Sequence, residues 1–213
     1  MSWPPFTPVS YIKSMGIHDR EHLEVEDISP LYDWLEENSS HSPGLWVVTH
    51  KKNSDRPAPS YDEIVRAALC FGWIDSVPGK VDEFRTKLYL SPRKKGSSWS
   101  NSNKVRIDEL LAEGALRPAG LAAVEEAKAS GTWNKIDSAH NLEIPEDLDA
   151  EFSKYPGSKE NFVGFPPSTR KAILEWIIQA KTPQTRDKRI NSTASLAAEN
   201  IRANQWTGPK TKG

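Results

Sequence analysis

Residues 73–92 read WIDSVPGKVDEFRTKLYLSP, and the short β-type runs in this stretch indicate the class of the fold. The runs are Trp73-Ile74, Lys80 to Phe84 and Thr86 to Leu90, and Pro78-Gly79 is typical of a turn between strands. Apolar and β-branched residues bounded by turn residues favour strands over helix. We therefore predict two or three antiparallel strands here.

Two helices and one strand are predicted before this stretch. A helix begins at Ser29-Pro30, where a cap residue precedes proline at the first helical position, and it ends at Asn38. The aromatic and β-branched run Leu45–Thr49 predicts a buried strand. Ser60 and Glu63 have the spacing of a capping box, which starts a helix that ends at Gly72.

Beyond Trp99 the hydrophobic period changes from 2 to 3.6, which predicts helices for the rest of the chain. Four helices are marked by Val105, Leu110 and Leu111, by Pro118, Leu121 and Val124 up to Gly131, by Ile173, Trp176, Ile177 and Ala180, and by the stretch from Thr185 to Ala203. We expect an α+β fold, with a small, mainly antiparallel sheet and helices in an N-terminal lobe and an all-helical C-terminal lobe. The expected bounds are an irregular lead-in at 1–28, the α+β lobe at 29–99, the helical lobe at 100–204 and a frayed tail at 205–213.

Composition excludes several classes of protein. The chain has 213 residues, a formal net charge of -1 and 37% hydrophobic residues, so it can bury a core and is not basic overall. No apolar run approaches 18 residues, which excludes a membrane-spanning helix. Residues 1–10 lack the features of a secretory leader, and Cys70 is the single cysteine, so we expect a cytoplasmic protein without a disulfide.

Charge is strongly segregated along the chain. Residues 85–106 hold seven basic residues and no acidic one, whereas residues 18–37 hold eight acids against one arginine. A second cationic cluster consists of Lys181, Arg186, Lys188 and Arg189. Two explanations stay open, because like charges repel: an internal balance between acidic and basic segments, or an external anion.

The stretch from Ser91 to Lys104 carries the most specific chemistry. It places arginine, lysines, hydroxyls, amides and an aromatic ring directly before a helix, where Arg93 is suited to hold a phosphate or carboxylate. The structural alternative is that Ser100 or Asn101 caps the helix and Trp99 fills the core. The stretch matches neither a phosphate-binding loop nor a dinucleotide fingerprint, so no cofactor is expected.

The candidate ligand-binding residues extend beyond this loop. They are Lys51, Lys52, Trp73, Asp75, Arg93, Lys95, Ser98, Trp99, Asn103, Lys104, Arg186 and Arg189. Asp75 is also the candidate catalytic acid or base, and the alternative is an aspartate that caps a turn or pairs with arginine.

Other constellations favour structural roles. His18 and His22 stand four residues apart without a further ligand set, so no metal site is predicted. Ser97 and Ser98 lack the surroundings of a nucleophile elbow. Cys70 follows apolar helical residues and is predicted to be a buried structural thiol.

Several short blocks carry a family resemblance. In the N-terminal half they are Leu45-Trp46 to Lys51-Lys52, Ala68 to Ser76, Ser91 to Lys94, Ser98-Trp99-Ser100 and Asn103-Lys104. In the C-terminal half they are Ala180-Lys181, Thr185-Arg186 and Lys188-Arg189-Ile190. Together, over about residues 30–200, they resemble the bacteriocin-protection, OmpD-associated (YdeI-like) family. The resemblance implies protection against antimicrobial peptides or bacteriocins and association with an outer-membrane porin, and it supplies no catalytic residues.

We expect a soluble, non-catalytic stress or bacteriocin-protection protein that binds an anionic small molecule or an acidic protein surface through the loop from Arg93 to Lys104. Two alternatives stay open. One is an enzyme that acts on a phosphorylated or carboxylated metabolite with Asp75 as acid or base. The other is sequence-independent nucleic-acid binding through the basic loop and Trp99, against which the pI of about 6.5 argues.

Overall fold

The computed structural model describes residues 16–205, which belong to two compact units. Unit 1 takes the chain up to Lys95 together with Arg106–Glu125, and unit 2 takes Gly96–Val105 together with the chain from Glu126 onward. Residues 1–15 of the predicted lead-in and residues 206–213 of the predicted tail lie outside the described residues.

The described residues form four strands and nine α-helices after a 3-10 turn at Ile17–Asp19. The strands are β1 (His22–Glu24), β2 (Leu45–His50), β3 (Trp73–Lys80) and β4 (Arg85–Pro92). The helices are α1 (Ser29–Asn38), α2 (Tyr61–Cys70), α3 (Asn101–Ala112), α4 (Pro118–Ala129), α5 (Asp137–His140), α6 (Glu146–Phe152), α7 (Ser158–Gly164), α8 (Pro167–Ile178) and α9 (Pro183–Ala198).

The α+β class is confirmed. The sheet has the order β1-β2-β4-β3; β1 runs parallel to β2, and the other two pairings are antiparallel. Every described element after β4 is a helix. The helices of unit 2 enclose a core that includes Phe162, Ile173 and Ile177, each at most 1% exposed.

The predicted turn in the hairpin was wrong. Pro78-Gly79 lies inside β3, and the run Lys80 to Phe84, predicted as a strand, holds the turn instead. The Asp82 carboxylate accepts the backbone N–H groups of Phe84 and Arg85 at 2.9 and 2.7 Å, which stabilises a turn there. Proline is tolerated in β3 because the strand lies at the sheet edge and its register shifts between Asp75 and Pro78.

The other differences concern short elements and ends. Strand β1 and helices α5, α6 and α7 span only three to seven residues, too few for a hydrophobic period to be recognised. Helix α9 ends at Ala198 rather than Ala203. At α1 the predicted cap Ser29 instead donates its backbone N–H to the Asp27 carboxylate at 2.8 Å.

Strand register assigns side chains to the two faces of the sheet. Thr49 is paired with Thr86, and Val48 is paired with Lys87, on β2 and β4. Because neighbouring residues of a strand point to opposite faces, the two threonines share one face and Lys87 lies on the other. We call these the threonine face and the opposite face.

Helices α2 and α4 approach each other closely within unit 1. The Arg117 N–H donates to the Cys70 carbonyl at 3.0 Å, where α2 ends. A Cβ atom added at Gly120 would lie 2.4 Å from that carbonyl oxygen and 2.8 Å from the Leu69 oxygen. The contact therefore requires the absence of a side chain at Gly120.

Replacing Gly120 with alanine should destabilise unit 1. In a helix, alanine is normally favoured over glycine by roughly 0.5–1 kcal/mol, but the steric conflict with two carbonyls should reverse the sign and cost about 1–3 kcal/mol. Urea unfolding measures the change. Gly164→Ala is the matched control, because nothing lies within 4 Å of its added Cβ. A Gly120→Ala protein as stable as the control would contradict the close approach.

Candidate functional site

Unit 1 contains a cleft of about 650 Å³ between the threonine face of the sheet and the start of α2. It is lined by Thr49, His50, Lys51, Lys52, Arg56, Ala58, Pro59, Ser60, Tyr61, Glu63, Ile64, Pro78, Thr86, Lys87 and Leu88. Its volume lies within the range of roughly 300–1,000 Å³ that is usual for small-molecule sites.

Two strands and one helix give the cleft its apolar part. Leu88 is paired with Pro78 of β3, two positions along β4 from Thr86. Ile64 of α2 is 3% exposed. Helix α2 begins where the sequence predicts because the capping box is confirmed. The Glu63 N–H donates to the Ser60 Oγ, and the Glu63 carboxylate accepts the Ser60 N–H.

Lys51 is held at the edge of the cleft by neutral groups. Its ammonium donates to the carbonyls of Asp82 and Glu83 at 2.8 and 3.1 Å, and its backbone N–H donates to the Phe84 carbonyl at 2.8 Å. An ammonium has three N–H donors, so two carbonyl bonds leave one donor for a further acceptor. Since carbonyl oxygens carry no net charge, these bonds fix Lys51 in position and leave its positive charge in place.

The other cations of the lining differ in availability. Lys52 is exposed. Arg56 forms an ion pair with Glu26. Lys87 extends on the opposite face, where its ammonium lies 4.2 Å from the centroid of the Trp46 ring and 3.0 Å from the His22 Nε2. Lys51 and Lys52 therefore provide the positive charge of the cleft.

Glu63 is the acidic residue of the lining. Its carboxylate accepts the N–H and the Oγ–H of Ser60 at 2.8 and 2.7 Å. These hydrogen bonds lower the pKa of Glu63, the bond from the backbone N–H most, so the carboxylate is charged at neutral pH. Glu63 therefore adds negative charge to the lining, and Lys51 and Lys52 add positive charge.

Tyr61 connects the cleft with two predicted site residues. Its phenol donates to the Asp75 Oδ2 at 2.7 Å. Burial and this hydrogen bond raise the pKa of Tyr61 to about 12. Burial lowers the pKa of Arg93 to about 10, and the charge of Asp75 acts in the opposite direction. Asp75 therefore accepts a hydrogen bond from a phenol, and its charge acts on a half-buried guanidinium.

Trp73 and Trp99 are interior residues. Trp73 is 1% exposed, donates its Nε1–H to the Ser39 carbonyl at 3.2 Å and packs edge-on against Trp34. Trp99, in unit 2, is 2% exposed and packs against Trp133 at a centroid distance of 5.0 Å. Neither ring offers an open face for stacking on a base.

The helix cap predicted as the alternative function of the Ser91–Lys104 stretch is present. The Oγ of Ser100 accepts the N–H of Asn103 at 3.3 Å at the start of α3. Asn103 is 8% exposed, Ser98 is half-buried and Lys95 is exposed. The lysine at the end of this stretch, Lys104, donates to the Asp137 carboxylate at 2.5 Å.

The second cationic cluster also finds partners within unit 2. Arg186 binds the Asp147 carboxylate through two bonds, from Nε at 2.6 Å and from Nη2 at 2.9 Å. Arg189 donates to the Trp176 carbonyl, and its guanidinium lies 5.0 Å from the centroid of that ring. Arg186 is thus neutralised by a carboxylate, unlike Lys51.

Acidic and basic segments balance each other within unit 1 as well. Glu24 of β1 binds Arg85 at 2.6 Å. Asp62 binds Arg106 at 2.8 Å. The internal balance between the acidic segment 18–37 and the basic segment is therefore present for Arg85, whereas Arg106 and, in unit 2, Lys104 are paired with acids from other parts of the chain.

The predicted site residues thus fall into separate groups. Lys51 and Lys52 line the cleft, whereas Asp75 is hydrogen-bonded to Tyr61 and interacts electrostatically with Arg93. Sequence reasoning missed Tyr61, Thr49 and Thr86. A signal for Tyr61 existed, because the Ser60 capping box places the start of a helix shortly after the Lys51-Lys52 pair.

Other candidate constellations have structural surroundings. The His22 ring stacks on Trp46 at a centroid distance of 6.1 Å. Cys70 is buried, and burial raises the pKa of its thiol.

Within residues 16–205, no three His, Cys, Asp or Glu side chains are grouped to hold a metal ion. In the same range, no helix has the length and apolar character to cross a membrane.

Comparison with protein families gives two matches. Residues 141–200 match the family described as bacteriocin-protection, YdeI or OmpD-associated. The resemblance is confirmed for this segment, which contains α6 to α9. It is shorter than the predicted span of about 30–200, because residues 23–123 match a different model, a domain of unknown function (DUF8412). No curated protein and no solved structure matches the chain.

The cleft and the YdeI-type match therefore involve different segments. Residues that line the cleft run from Thr49 to Leu88, within the span of the domain of unknown function. Arg186 and Arg189 lie in the YdeI-type segment.

Replacing Arg186 with glutamine should reduce stability in a pH-dependent way. The bond from Arg186 lowers the pKa of Asp147, so the pair contributes stability above the ordinary carboxyl pKa, and this contribution is lost as pH falls through the lowered value. We expect a loss of roughly 1 kcal/mol or less at pH 7, given partial exposure, and a smaller difference at pH 3. Urea unfolding at both pH values measures it.

Lys188→Gln on the same helix is the control, because Lys188 is exposed. Equal stability of the two variants at pH 7 would show that Arg186 is not a structural partner of Asp147.

Proposed function

We propose that this chain is a non-catalytic binding protein of the bacteriocin-protection type, and that it takes an organic anion in the cleft of unit 1. The observation that carries the proposal is the Lys51 ammonium, which two carbonyls hold in place without neutralising it. A cation whose position is already fixed loses little conformational entropy when an anion binds, and this favours affinity.

The surroundings of Lys51 add to the attraction. Lys52 follows directly and supplies a second positive charge. Thr49 lines the cleft and has a hydroxyl suited to donate a hydrogen bond. The Thr86 hydroxyl donates to the Gly79 carbonyl at 2.9 Å, so it is less suited to donate to a ligand. The anionic group is therefore expected beside Lys51, Lys52 and Thr49.

The rest of the cleft favours an organic body behind the anionic group. Pro59, Ile64, Pro78 and Leu88 are apolar lining residues, and an inorganic ion would leave them in contact with water. Burial of apolar area contributes roughly 25 cal/mol per Å². A carboxylate or phosphate ester with a ring or short chain fits this combination better than phosphate alone.

Binding without turnover agrees with the state of the nearby titratable groups. An effective general acid or base has a pKa near the working pH. Tyr61, with a pKa of about 12, retains its proton at neutral pH and uses it in the bond to Asp75. This pair supports the wall of the cleft, which is a structural function.

Anion binding in the cleft predicts selective loss in lysine variants. Saturating phenyl phosphate should raise the melting temperature, because a ligand at 100 times its Kd stabilises by about 2.7 kcal/mol. Lys51→Gln should weaken binding about tenfold, since a charge-assisted hydrogen bond contributes roughly 1.5–3 kcal/mol. Lys52→Gln should have a smaller effect because Lys52 is exposed. Thermal shifts at constant ionic strength, with titration of the ligand, give the Kd values.

Lys95→Gln is the control that distinguishes binding in the cleft from binding at the loop from Arg93 to Lys104, which the sequence predicted as the site. Lys95 is exposed and does not line the cleft. Its replacement should leave the Kd for phenyl phosphate unchanged. Loss of binding in Lys95→Gln, with retention in Lys51→Gln, would refute the cleft and favour the loop.

A further inference from the structure

Tyr61 of the cleft lining is fixed at its hydroxyl end. It begins α2, and its phenol donates to the Oδ2 atom of Asp75 on β3 at 2.7 Å. More than half of the residue, 56%, is nevertheless exposed. The hydrogen bond restricts rotation of the side chain but leaves the ring accessible. Tyr61 therefore offers an aromatic surface whose orientation is set before a ligand binds, which lowers the entropy cost of binding.

A bulge in β3 places the acceptor of this phenol on the face of the sheet that lines the cleft. Asp75 is paired with Leu90. After the register shift, Pro78 is paired with Leu88. Residues three positions apart point to opposite faces of a regular strand, but Leu88 and Leu90 are two apart and share one face. The extra residue of the bulge therefore brings Asp75 and Pro78 together onto the threonine face, to which Leu88 and Thr86 belong.

The helix side of the cleft presents Tyr61 together with Ile64. The two residues are three positions apart in α2, so their side chains lie on one face of the helix. Both line the cleft, as do Pro78 and Leu88 from the sheet. The other aromatic ring among the lining residues is the His50 imidazole, whose side chain is only 6% exposed. Tyr61 is therefore the ring of the lining that a ligand can reach.

An exposed, fixed ring distinguishes an aromatic ligand from an aliphatic one. Stacking of two aromatic rings, offset or edge-on, contributes a factor of roughly two to twelve in affinity beyond the burial of apolar area. A saturated ring of the same size buries a similar area against the lining but does not gain this factor. The ratio of the two affinities therefore measures the contribution of the Tyr61 ring.

We propose that the cleft selects organic anions whose body is an aromatic ring, that this ring stacks on Tyr61, and that Asp75 is the residue that positions Tyr61 for it. The inference rests on the proposed function, because the anionic group of the ligand is the one taken by Lys51. It adds the chemical class of the organic body and gives the Tyr61–Asp75 hydrogen bond a role in selectivity.

The test compares aromatic anions with their saturated counterparts by calorimetric titration at constant ionic strength. The phosphate pairs are phenyl with cyclohexyl phosphate and 3-phenylpropyl with 3-cyclohexylpropyl phosphate, so that a direct and a longer link between anion and ring are both covered. The carboxylate pair is 3-phenylpropanoate with 3-cyclohexylpropanoate, which distinguishes a carboxylate ligand from a phosphate one. In at least one pair the aromatic member should bind roughly three- to tenfold more tightly.

Absence of an aromatic preference in all three pairs would overturn the inference and leave the proposed function standing, because the anions would still bind. Failure of all six compounds to bind would refute both. The comparison is stringent because the saturated ring is the more apolar partner, so burial of apolar area alone gives it the higher affinity.

Tyr61 variants assign the preference to the ring. Tyr61→Leu should reduce the aromatic-to-saturated affinity ratio to about one, whereas Tyr61→Phe should retain more of it, because a ring remains without its hydrogen bond. Tyr155→Leu is the matched control. Tyr155 also has an engaged hydroxyl, which accepts from Asn191 at 2.8 Å, but it belongs to unit 2 and does not line the cleft. An unchanged ratio in Tyr61→Leu would contradict stacking on Tyr61.

Asp75 variants test positioning separately from stability. Asp75→Asn keeps a side-chain oxygen that can accept the phenol, so the affinity ratio should be preserved. Asp75→Leu removes the acceptor and should lower the ratio, while the Kd of the saturated ligand stays the same. Thermal melting of each variant shows that it is folded. A ratio that Asp75→Leu leaves unchanged would exclude Asp75 as the positioning residue.

Discussion

The position of the Lys51 ammonium depends on two backbone carbonyls in the β3–β4 turn. Asp82 shapes that turn by accepting two backbone N–H groups, and the turn presents its carbonyls to the lysine at the end of β2. The position of the charge at this end of the cleft therefore depends on hydrogen bonds within the turn. Any change that moves the turn moves the charge, because the same turn also binds the backbone of Lys51 through Phe84.

Several of the cations that a charge count singles out are bound to carboxylates. Arg85, Lys104 and Arg186 each have an acid within 3 Å, which balances their positive charge. Lys51 differs because its partners are carbonyls. Arg85 of the basic segment therefore balances Glu24 of the acidic one, and Lys51, which lies outside both segments, is held by carbonyls instead.

Sequence could predict the elements whose signals are local. The Ser60-Glu63 capping box located α2, and the apolar run Leu45–Thr49 located β2. The hairpin turn could not be placed in this way, because Pro78-Gly79 has turn composition but lies in an edge strand whose bulge accommodates proline. The capping of Ser29 by Asp27 and the pairing of Lys104 with Asp137 depend on contacts that a residue pattern does not specify. The candidate site was accordingly predicted at Lys51 and Lys52, and Tyr61 had a local signal in the Ser60 capping box, whereas the position of Thr49 and Thr86 on one face depends on strand register.

The segment that matches the YdeI-type family and the segment that forms the cleft have separate sequences and separate cores. The family description covers residues 141–200, whose helices pack around Phe162 and Ile173, whereas the cleft is built from residues 49–88. A function named for the first segment does not by itself specify what the second one binds. The ligand of the cleft has to be inferred from the residues that line it, which are a fixed ammonium and several apolar side chains. The proposed anion site therefore depends on residues of unit 1, and above all on Lys51.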